Sequence, residues 1–192
     1  MLEKIIRKNR SYRRFNQNRE ITKHQLLELI DLARLSPSAA NLQPLKYIIS
    51  NDQSKNAIIF EHLAWAGYLK DWPGPAEGER PSAYIIILAD TDICKNVDCD
   101  HGIAAQSILL GAAEKGLGGC MIGSINREKL QQALQIPDQY RILLVLAIGE
   151  PAEKIVIDSA DNGDIKYWRD EKQTHHVPKR PLDEIVIKRE TT

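Results

Sequence analysis

The sequence is poor in the features that mark secreted, membrane-bound and nucleic-acid-binding proteins. Three cysteines in 192 residues, an odd number, argue against a disulfide framework. No apolar run approaches the ~20 residues of a membrane span, and the N-terminal MLEKIIRKNR lacks the apolar core of a signal peptide. Lys and Arg total 26 and so do Asp and Glu, so no net field favours nucleic acid. These absences predict a cytoplasmic protein with neither a membrane nor a nucleic-acid partner.

Side chains that bind metals are also sparse. Cys94, Cys99 and His101 lie close together, but the spacing C-x4-C-x-H matches no common zinc pattern. His175 and His176 are adjacent, and neighbouring side chains on an extended chain point in opposite directions. We therefore predict no metal site, and the roles of these residues stay open.

Length and composition favour one globular domain. The chain has 192 residues, of which 43% are hydrophobic and 27% charged, and these values are typical of a folded domain with a substantial core.

The stretch 100–124, DHGIAAQSILLGAAEKGLGGCMIGS, combines a helix that is apolar on nearly every face with a run of glycines. A helix of that kind is buried. Asp100 is predicted to cap its N-terminus and Gly116 to end it. The glycines before the strand 120–122 permit positive φ and leave backbone N–H groups uncovered, which suits a planar or anionic ligand. The alternative is a core helix followed by an ordinary turn and strand.

Apolar periodicity and capping signals predict further helices and strands on both sides of this stretch. Helices are expected over 2–8, after the capping box at 22–25, around 57–68 and after Asn126, and strands at 47–49, 84–89 and 142–148. Beyond Pro151 the apolar density falls, so 158–176 is expected to form an extended arm and 185–187 a short strand. An arm without its own core is expected to dock on a second subunit.

Three polar segments are candidates for binding. Arg10-Ser11-Tyr12-Arg13-Arg14-Phe15 is either a solvated basic turn or a site where guanidinium and hydroxyl groups bind a phosphate or a carbonyl edge. The loop 36–44, SPSAANLQP, is a rigid connector or a binding edge. The third segment is the basic pair Lys179-Arg180, which precedes the predicted C-terminal strand.

These segments, together with residues 102–123 and with KRPLDEIV at 179–186, resemble the FMN-dependent nitroreductase family in their order along the chain. The resemblance implies an α+β, three-layer α-β-α fold with a mixed central sheet. It also implies a homodimer that exchanges a C-terminal strand between subunits. Residues 1–192 would then form a single FMN-binding domain, with 158–192 as the arm that docks on the partner subunit.

The resemblance also implies which residues bind FMN. Arg10 and Ser11 would face the phosphate and ribityl side, and Arg13 the N1/C2 edge of the flavin. Backbone N–H at Ile122 and Gly123 would meet flavin N5. The full set of implied cofactor-binding residues is Arg10, Ser11, Arg13, Pro37, Ser38, Ala39, Asn41, Gln43, Met121, Ile122, Gly123, Lys179 and Arg180. No catalytic side chain is implied, because hydride moves directly between stacked partners and flavin N5.

The chain departs from the family pattern in two motifs and in length. Asn9 stands where many members have arginine, and Leu45 follows Gln43-Pro44 where many have tryptophan. The insertion that covers the flavin in larger members is reduced to about 57–81, whose aromatic residues are either core or a pocket cover.

The activity implied by the resemblance is hydride transfer from NAD(P)H, through FMN, to a small conjugated acceptor such as a nitroaromatic or a quinone. Two alternatives remain. The same flavoprotein fold could run another reaction, such as reductive dehalogenation or flavin fragmentation, or the chain could be a flavin-binding sensor that is not an enzyme.

Overall fold

A computed structural model describes residues 1–160 and 163–187. The chain divides into two compact units, which are considered separately below. The first contains residues 1–65 and 73–152, and the second contains residues 66–72 and the chain from Glu153 onward. The single-domain organisation stays a prediction. None of the described helices is long and apolar enough to cross a membrane.

The first unit contains five α-helices, one 3-10 turn and four strands. In chain order they are α1 (Leu2–Lys8), α2 (Lys23–Arg34), the 3-10 turn (Ala39–Asn41), β1 (Leu45–Ser50), α3 (Gln53–Glu61), β2 (Ala83–Asp90), α4 (Asp100–Glu114), β3 (Gly118–Ile122), α5 (Arg127–Ala133) and β4 (Tyr140–Gly149).

The four strands form a sheet in the order β1-β2-β4-β3, with helices on its faces. Every residue of β2 is buried, as its unbroken apolar run predicts for a central strand. Ile85 and Ile87 on one face of β2 share a core cluster with residues of α2 and α4, while α3 contacts β2 and α5. This arrangement confirms the predicted α+β class.

The pairing within this sheet is antiparallel throughout, whereas a mixed sheet was expected. The parallel component in the first unit is an isolated bridge between Ser11 and Gly119. The segment after α1 therefore runs alongside the β3 edge and supplies the mixed character there.

The glycines at 116–119, of which Gly118 and Gly119 are the first two residues of β3, have a different role from the one predicted. Gly116 does end the α4 segment in a left-handed conformation, with φ of 79°. Gly118 and Gly119, however, are buried. A Cβ on Gly118 would lie 2.5 Å from the Tyr12 ring, and one on Gly119 would lie 2.5 Å from the Ala147 carbonyl oxygen. These two glycines allow close packing of the sheet instead of exposing N–H groups to a ligand.

Side-chain caps explain where α2, α3 and α5 begin. The predicted capping box at Thr22 and Gln25 is present at the start of α2, and Asn126 caps α5. The helix expected around 57–68 instead spans Gln53–Glu61, because the Asp52 side chain accepts a hydrogen bond from the Lys55 N–H at 2.8 Å. An aspartate at the N-cap is sufficient to start a helix one turn earlier.

The second unit contains β5 (Ile155–Ser159), β6 (Trp168–Arg169), β7 (His175–Lys179) and α6 (Leu182–Ile185). The strands form a sheet in the order β5-β7-β6, in which β5 pairs with β7 in parallel and β6 with β7 antiparallel. The region predicted to be an extended arm thus has local sheet structure. The helix Leu182–Ile185 shows that a strand at 185–187 is wrong.

The reason for this error lies in the residues just before the apolar run. Pro181 occupies the N-cap of α6, and Asp183 and Glu184 lie in its first turn, where negative charge favours a helix. The Arg180 guanidinium also pairs with the Glu184 carboxylate across this turn. The exchange of a C-terminal strand between subunits stays a prediction, and residues 188–192 lie outside the described part of the chain.

His175 and His176 point in opposite directions, as predicted. His175 is fully buried, whereas His176 is half-buried and stacks on Trp168 with ring centroids 4.1 Å apart. His176 Nδ1 lies 2.7 Å from a carboxylate oxygen of Asp158, and Nε2 lies 3.5 Å from one of Asp170. These carboxylates raise the pKa of His176 above its ordinary value, with Asp158 the largest cause.

We expect an NMR titration of the His176 ring to give a pKa above the ordinary value of about 6.5. Because folding raises the pKa of His176, the stabilisation from its ion pairs is fully present at pH values below the pKa of the unfolded state. It is lost as the pH rises through the folded pKa. Asp158→Asn should move the pKa back toward the ordinary value, while Asp164→Asn serves as a control outside this contact. A wild-type pKa at or below 6.5 would contradict the ion pairs.

Candidate functional site

The segment Arg10-Ser11-Tyr12-Arg13 is held in place by the edge of the sheet. Ser11 bridges Gly119 in parallel, and the Tyr12 N–H donates to the Gly119 carbonyl at 3.0 Å. In a parallel pairing both chains run the same way, so the segment proceeds from Ser11 to Arg13 as β3 proceeds from Gly119 to Met121. Ser11 is exposed and Arg13 half-buried. The basic segment is therefore a fixed extended strand-like element and not a loose turn.

Arg10 and Arg13 both use part of their guanidinium on the local backbone. Arg10 Nε donates to the Asn9 carbonyl at 2.6 Å and Nη2 to the Ile6 carbonyl at 2.9 Å, so Arg10 caps the last turn of α1. Arg13 Nη1 donates to the Ser11 carbonyl at 3.3 Å. These contacts hold the two side chains against the local backbone.

The loop 36–44 is anchored by a buried carboxylate. Asp100, only 5% exposed, accepts a hydrogen bond from the Ser38 hydroxyl at 2.6 Å and one from the Ala39 N–H at 3.0 Å. The Gln43 N–H in turn donates to Ser38 Oγ at 2.9 Å. The prediction that the Asp100 side chain caps its own helix is wrong: Cys99 occupies the N-cap without a side-chain bond, and Asp100 holds the loop.

The anchored loop is conformationally strained. Ala40, Asn41 and Gln43 have φ of 48°, 56° and 52°, a left-handed region that costs non-glycine residues about 1–2 kcal/mol each. Such strain persists only where the surrounding structure over-determines it, and it clusters at functional sites. The three hydrogen bonds that connect Asp100, Ser38 and the loop backbone provide that constraint.

A small cavity of about 170 Å³ lies beside this loop. It is lined by Pro37, Ser38 and Gln43 from the loop and by Tyr47 and Asp100 from the sheet and α4. Burial raises the pKa of Tyr47, and the Asp100 charge raises it further. The Tyr47 hydroxyl therefore stays protonated at neutral pH and is able to donate a hydrogen bond into the cavity.

The end of β3 presents an open surface. Met121 is 37% exposed on a strand that is otherwise buried, and Ile122 is buried behind it. A Cβ on Gly123 would meet no atom within 4 Å, so a planar group has room to approach the backbone there. Arg127 fixes the following turn, since its guanidinium donates to the carbonyls of Gly123 at 3.3 Å and Ile142 at 3.0 Å.

Lys179 and Arg180 lie in the second unit. Lys179 is the last residue of β7, and its carbonyl accepts a hydrogen bond from the Ala160 N–H at 2.9 Å. Arg180 is exposed and pairs with Glu184. Both cations are thus on the surface of their own unit.

The structure brings the predicted residues together in two groups within the first unit. One is the β3 edge, with Arg10, Ser11, Arg13, Met121, Ile122 and Gly123, and the other is the anchored loop, with Pro37, Ser38, Ala39, Asn41 and Gln43. Sequence reasoning missed two residues that organise these groups, Asp100 and Arg127. The available signal for Asp100 was an acid at the start of an apolar helix, which the sequence analysis interprets as a cap. Arg127 gave no signal, because it has the pattern of an ordinary residue in the first turn of a helix.

The sequence is similar to those of known proteins. The model of the nitroreductase family matches residues 6–150. Over 176 residues the chain is 25% identical to "Putative NAD(P)H nitroreductase YodC" of Bacillus subtilis (strain 168), a match that covers 76% of this chain and 87% of the relative.

The fold is also similar to those of solved structures. An FMN-dependent nitroreductase from Clostridium difficile R20291 is 27% identical with a TM-score of 0.60, over 78% of this chain and 87% of that one. A nitroreductase family protein from Streptococcus pneumoniae TIGR4 is 19% identical with a TM-score of 0.72, over 98% and 100% of the two chains, and shows the shared fold.

Proposed function

Because this chain belongs to the nitroreductase family, we propose that it is an FMN-dependent oxidoreductase that moves hydride from NAD(P)H to a small conjugated acceptor such as a nitroaromatic or a quinone. The observation that carries the proposal is the pairing of Ser11 with Gly119. This pairing directs the basic segment along β3, which ends at Ile122, just before the open Gly123. A basic segment suits the flavin phosphate, and an open backbone suits the flavin ring.

The residues present fit FMN. The guanidinium of Arg10 and the hydroxyl of Ser11 suit a phosphate and a ribityl chain. The Lys179 ammonium and the Arg180 guanidinium stay predictions for the phosphate site. Met121, Ile122 and Gly123 give a partly apolar surface with an uncovered backbone for the ring. Pro37, Ser38, Ala39, Asn41 and Gln43 would line the flavin from the anchored loop. Since the Ser38 hydroxyl is bonded to Asp100, Ser38 is assigned the role of holding the loop, and the Gln43 amide that of bonding the flavin.

FMN, when bound, supplies the hydride chemistry, so the task of this chain is to bind, orient and tune it. Arg13, held by its contact with the Ser11 carbonyl, would place a fixed positive charge at the pyrimidine edge, where negative charge accumulates as hydride arrives. A preorganised charge at that position favours the transfer. No side-chain acid or base is needed at the reacting atom, and we assign no catalytic residue.

A homodimer forms part of the proposal. Leu27 and Leu32 on α2 are 48% and 39% exposed, Leu35 at its C-cap is 66% exposed, and Leu42 in the anchored loop is 48% exposed. In the second unit Leu182, Ile185 and Ile187 are also exposed. Exposed apolar groups of this kind mark interaction surfaces. Association of two copies would cover them and let the anchored loop of one copy line the flavin of the other.

Anaerobic titration of the purified chain with FMN, followed by mixing with NAD(P)H, tests this function. We expect FMN binding to quench flavin fluorescence, and NAD(P)H to bleach the bound flavin until a nitroaromatic or a quinone restores its colour. Riboflavin, which lacks the phosphate, is the matched control and should bind at least about ten-fold more weakly, since charge-assisted hydrogen bonds are lost.

The outcomes separate the alternatives. Failure to bind FMN would overturn the proposal. Bound FMN that NAD(P)H does not bleach would favour a sensor or carrier. Bleaching that is reversed only by halogenated acceptors would indicate reductive dehalogenation in place of nitro or quinone reduction.

A further inference from the structure

The side chain of Arg127 bonds three backbone carbonyls that come from two separate segments. Its Nε donates to the Ile142 carbonyl at 3.0 Å, and its Nη2 donates to the carbonyls of Leu143 at 3.2 Å and Gly123 at 3.3 Å. Arg127 is the first residue of α5 and is exposed. A guanidinium carries several N–H donors in one rigid plane, so it is able to bond several acceptors at once. It therefore links the turn after β3 to β4 without belonging to the core.

Two of these carbonyls, those on β4, lie at a β-bulge. Ile87 of β2 pairs with Leu144 of β4. The next β2 residue, Leu88, pairs with Ile142, so the pairing skips Leu143. A bulge leaves its extra residue outside the ladder, bends the strand and is common beside active sites. The guanidinium supplies donors to this irregular backbone and fixes it to the neighbouring turn.

The third carbonyl belongs to Gly123, which directly follows β3. Unlike Gly116, Gly123 does not have a positive φ, so its backbone conformation does not require glycine. A Cβ there would also meet no atom of residues 1–160 and 163–187 within 4 Å. The missing side chain thus leaves room for a group that approaches from outside the chain. Its cost is conformational freedom, because glycine is the least restricted residue, and the hydrogen bond to the carbonyl reduces that freedom.

Backbone contacts with the segment that follows α3 restrain the rest of the turn. The Ala64 N–H donates to the Ser124 carbonyl at 2.9 Å, and the Asn126 N–H donates to the His62 carbonyl at 2.9 Å. These contacts lie beyond Gly123, whose own carbonyl the guanidinium bonds directly. The guanidinium therefore acts on the open position itself, and the backbone contacts support it from the far side of the turn.

We propose that Arg127 is a positioning residue for hydride transfer, which it serves by holding Gly123 and the end of β3 in a fixed backbone arrangement. This role rests on the proposed function, in which the backbone N–H at Ile122 and Gly123 meets flavin N5. Arg127 acts through Gly123 and is assigned no contact with the flavin or the substrate. A displacement of about 1 Å is enough to cost about 10²-fold in rate. A loose Gly123 should therefore slow hydride transfer more than it weakens binding.

The first test measures NMR relaxation of the backbone amides in the full chain without added flavin. In the wild type the order parameters of Gly123 and Ser124 should be near the value of about 0.85 for rigid backbone, and in Arg127→Met they should fall below about 0.6. Lys129→Met removes an exposed cation from the same helix and is the matched control, which should leave both values unchanged. Because Arg127 is exposed, its loss should lower the melting temperature by less than about 4 °C.

The second test measures how fast NAD(P)H reduces the chain saturated with FMN. In Arg127→Met the limiting rate should fall about ten-fold or more, while the KM for NAD(P)H and the Kd for FMN change by less than about three-fold. A general loss of stability would not separate rate from affinity in this way. Arg127→Lys keeps the charge but replaces the planar fork with one ammonium group, so it should restore only part of the rate. Lys129→Met should behave like the wild type.

Order parameters that stay high in Arg127→Met would overturn the restraint of Gly123 by Arg127. Low order parameters with an unchanged rate would overturn the role in hydride transfer. Full recovery of the rate by Arg127→Lys would do the same, because charge alone would then suffice. Failure of the proposed function is seen separately, since the wild type would then not bind FMN or not accept hydride. The role in hydride transfer would end with it, while the order parameters would still report the restraint.

Discussion

Gly119→Ala is expected to destabilise the first unit by about 3 kcal/mol, the upper end of the usual cost of overpacking a core. The added Cβ would lie 2.5 Å from the Ala147 carbonyl oxygen and 2.6 Å from Leu109 Cδ2. The leucine methyl is able to rotate away, but the carbonyl belongs to β4, which pairs with both β2 and β3. Relief of the clash therefore requires the sheet to separate locally. Urea unfolding measures the loss.

FMN affinity of Gly119→Ala should fall as well, under the proposed function. Ser11 and the Tyr12 N–H pair with Gly119, so a displaced β3 also displaces the basic segment. The matched control is Gly102→Ala in α4, where a Cβ would meet no atom within 4 Å. That change should stabilise the protein by about 0.5–1 kcal/mol, because alanine is the better helix former. Equal effects of the two substitutions would contradict the packing role of Gly119.

Gly116 and Gly119 show that a sequence reveals where glycine is required more readily than why it is required. Gly116 was predicted from local rules alone, because a glycine after an apolar helix ends it in the left-handed region. The close approach at Gly119 depends on β4 and on Leu109, which are distant in sequence. No local pattern distinguishes a glycine that admits a ligand from one that admits a neighbouring strand.

Much of the fold was predictable because its signals are local. The buried strands β2 and β4 carry unbroken apolar runs, and α2 and α5 begin at predicted caps. Two of the errors in placing helices and strands arose where a polar residue outweighs the apolar pattern. Asp52 starts α3 before the apolar residues begin, and the acidic first turn after Pro181 forms the short helix α6, which takes in Ile185, the first residue of the predicted strand.

The two candidate segments are visible in the sequence, but the contacts that hold them are not. The motif at 10–15 and the loop at 36–44 were identified from residue types, and the structure shows that each is held rigidly. What holds them is non-local: Gly119 for the first and Asp100 for the second, 62 residues away from Ser38. A carboxylate at the start of a helix is also a plausible helix cap. The hydrogen bond between Ser38 and Asp100 therefore could not be predicted from the sequence and is seen only in the folded chain.

Asp100→Ala should release the anchored loop, with a loss of about 2–4 kcal/mol in the free energy of unfolding. The substitution leaves the half-buried Ser38 hydroxyl and the N–H of the exposed residue Ala39 without their carboxylate acceptor, and a hydrogen bond to a charged group contributes about 1.5–3 kcal/mol. With the constraint gone, Ala40, Asn41 and Gln43 are free to leave the left-handed region. Under the proposed function, FMN affinity should fall at least about ten-fold, since the binding geometry is no longer preorganised.

Asp98→Ala is the control, because Asp98 is an exposed acid two residues away and should change stability by less than about 0.5 kcal/mol. Asp100→Asn keeps the shape of the side chain and one acceptor for the Ala39 N–H. Its free energy of unfolding should therefore lie between those of the wild type and the alanine variant.

A double-mutant cycle with Ser38→Ala separates a positioning role from general destabilisation. If the Ser38 hydroxyl acts through Asp100, the two alanine variants share one hydrogen bond, and their combined effect on unfolding and on FMN affinity should be smaller than the sum by at least about 0.5–1 kcal/mol. Strict additivity would mean that the 2.6 Å contact between Ser38 and Asp100 does not hold the loop. The strain at residues 40–43 would then need another constraint.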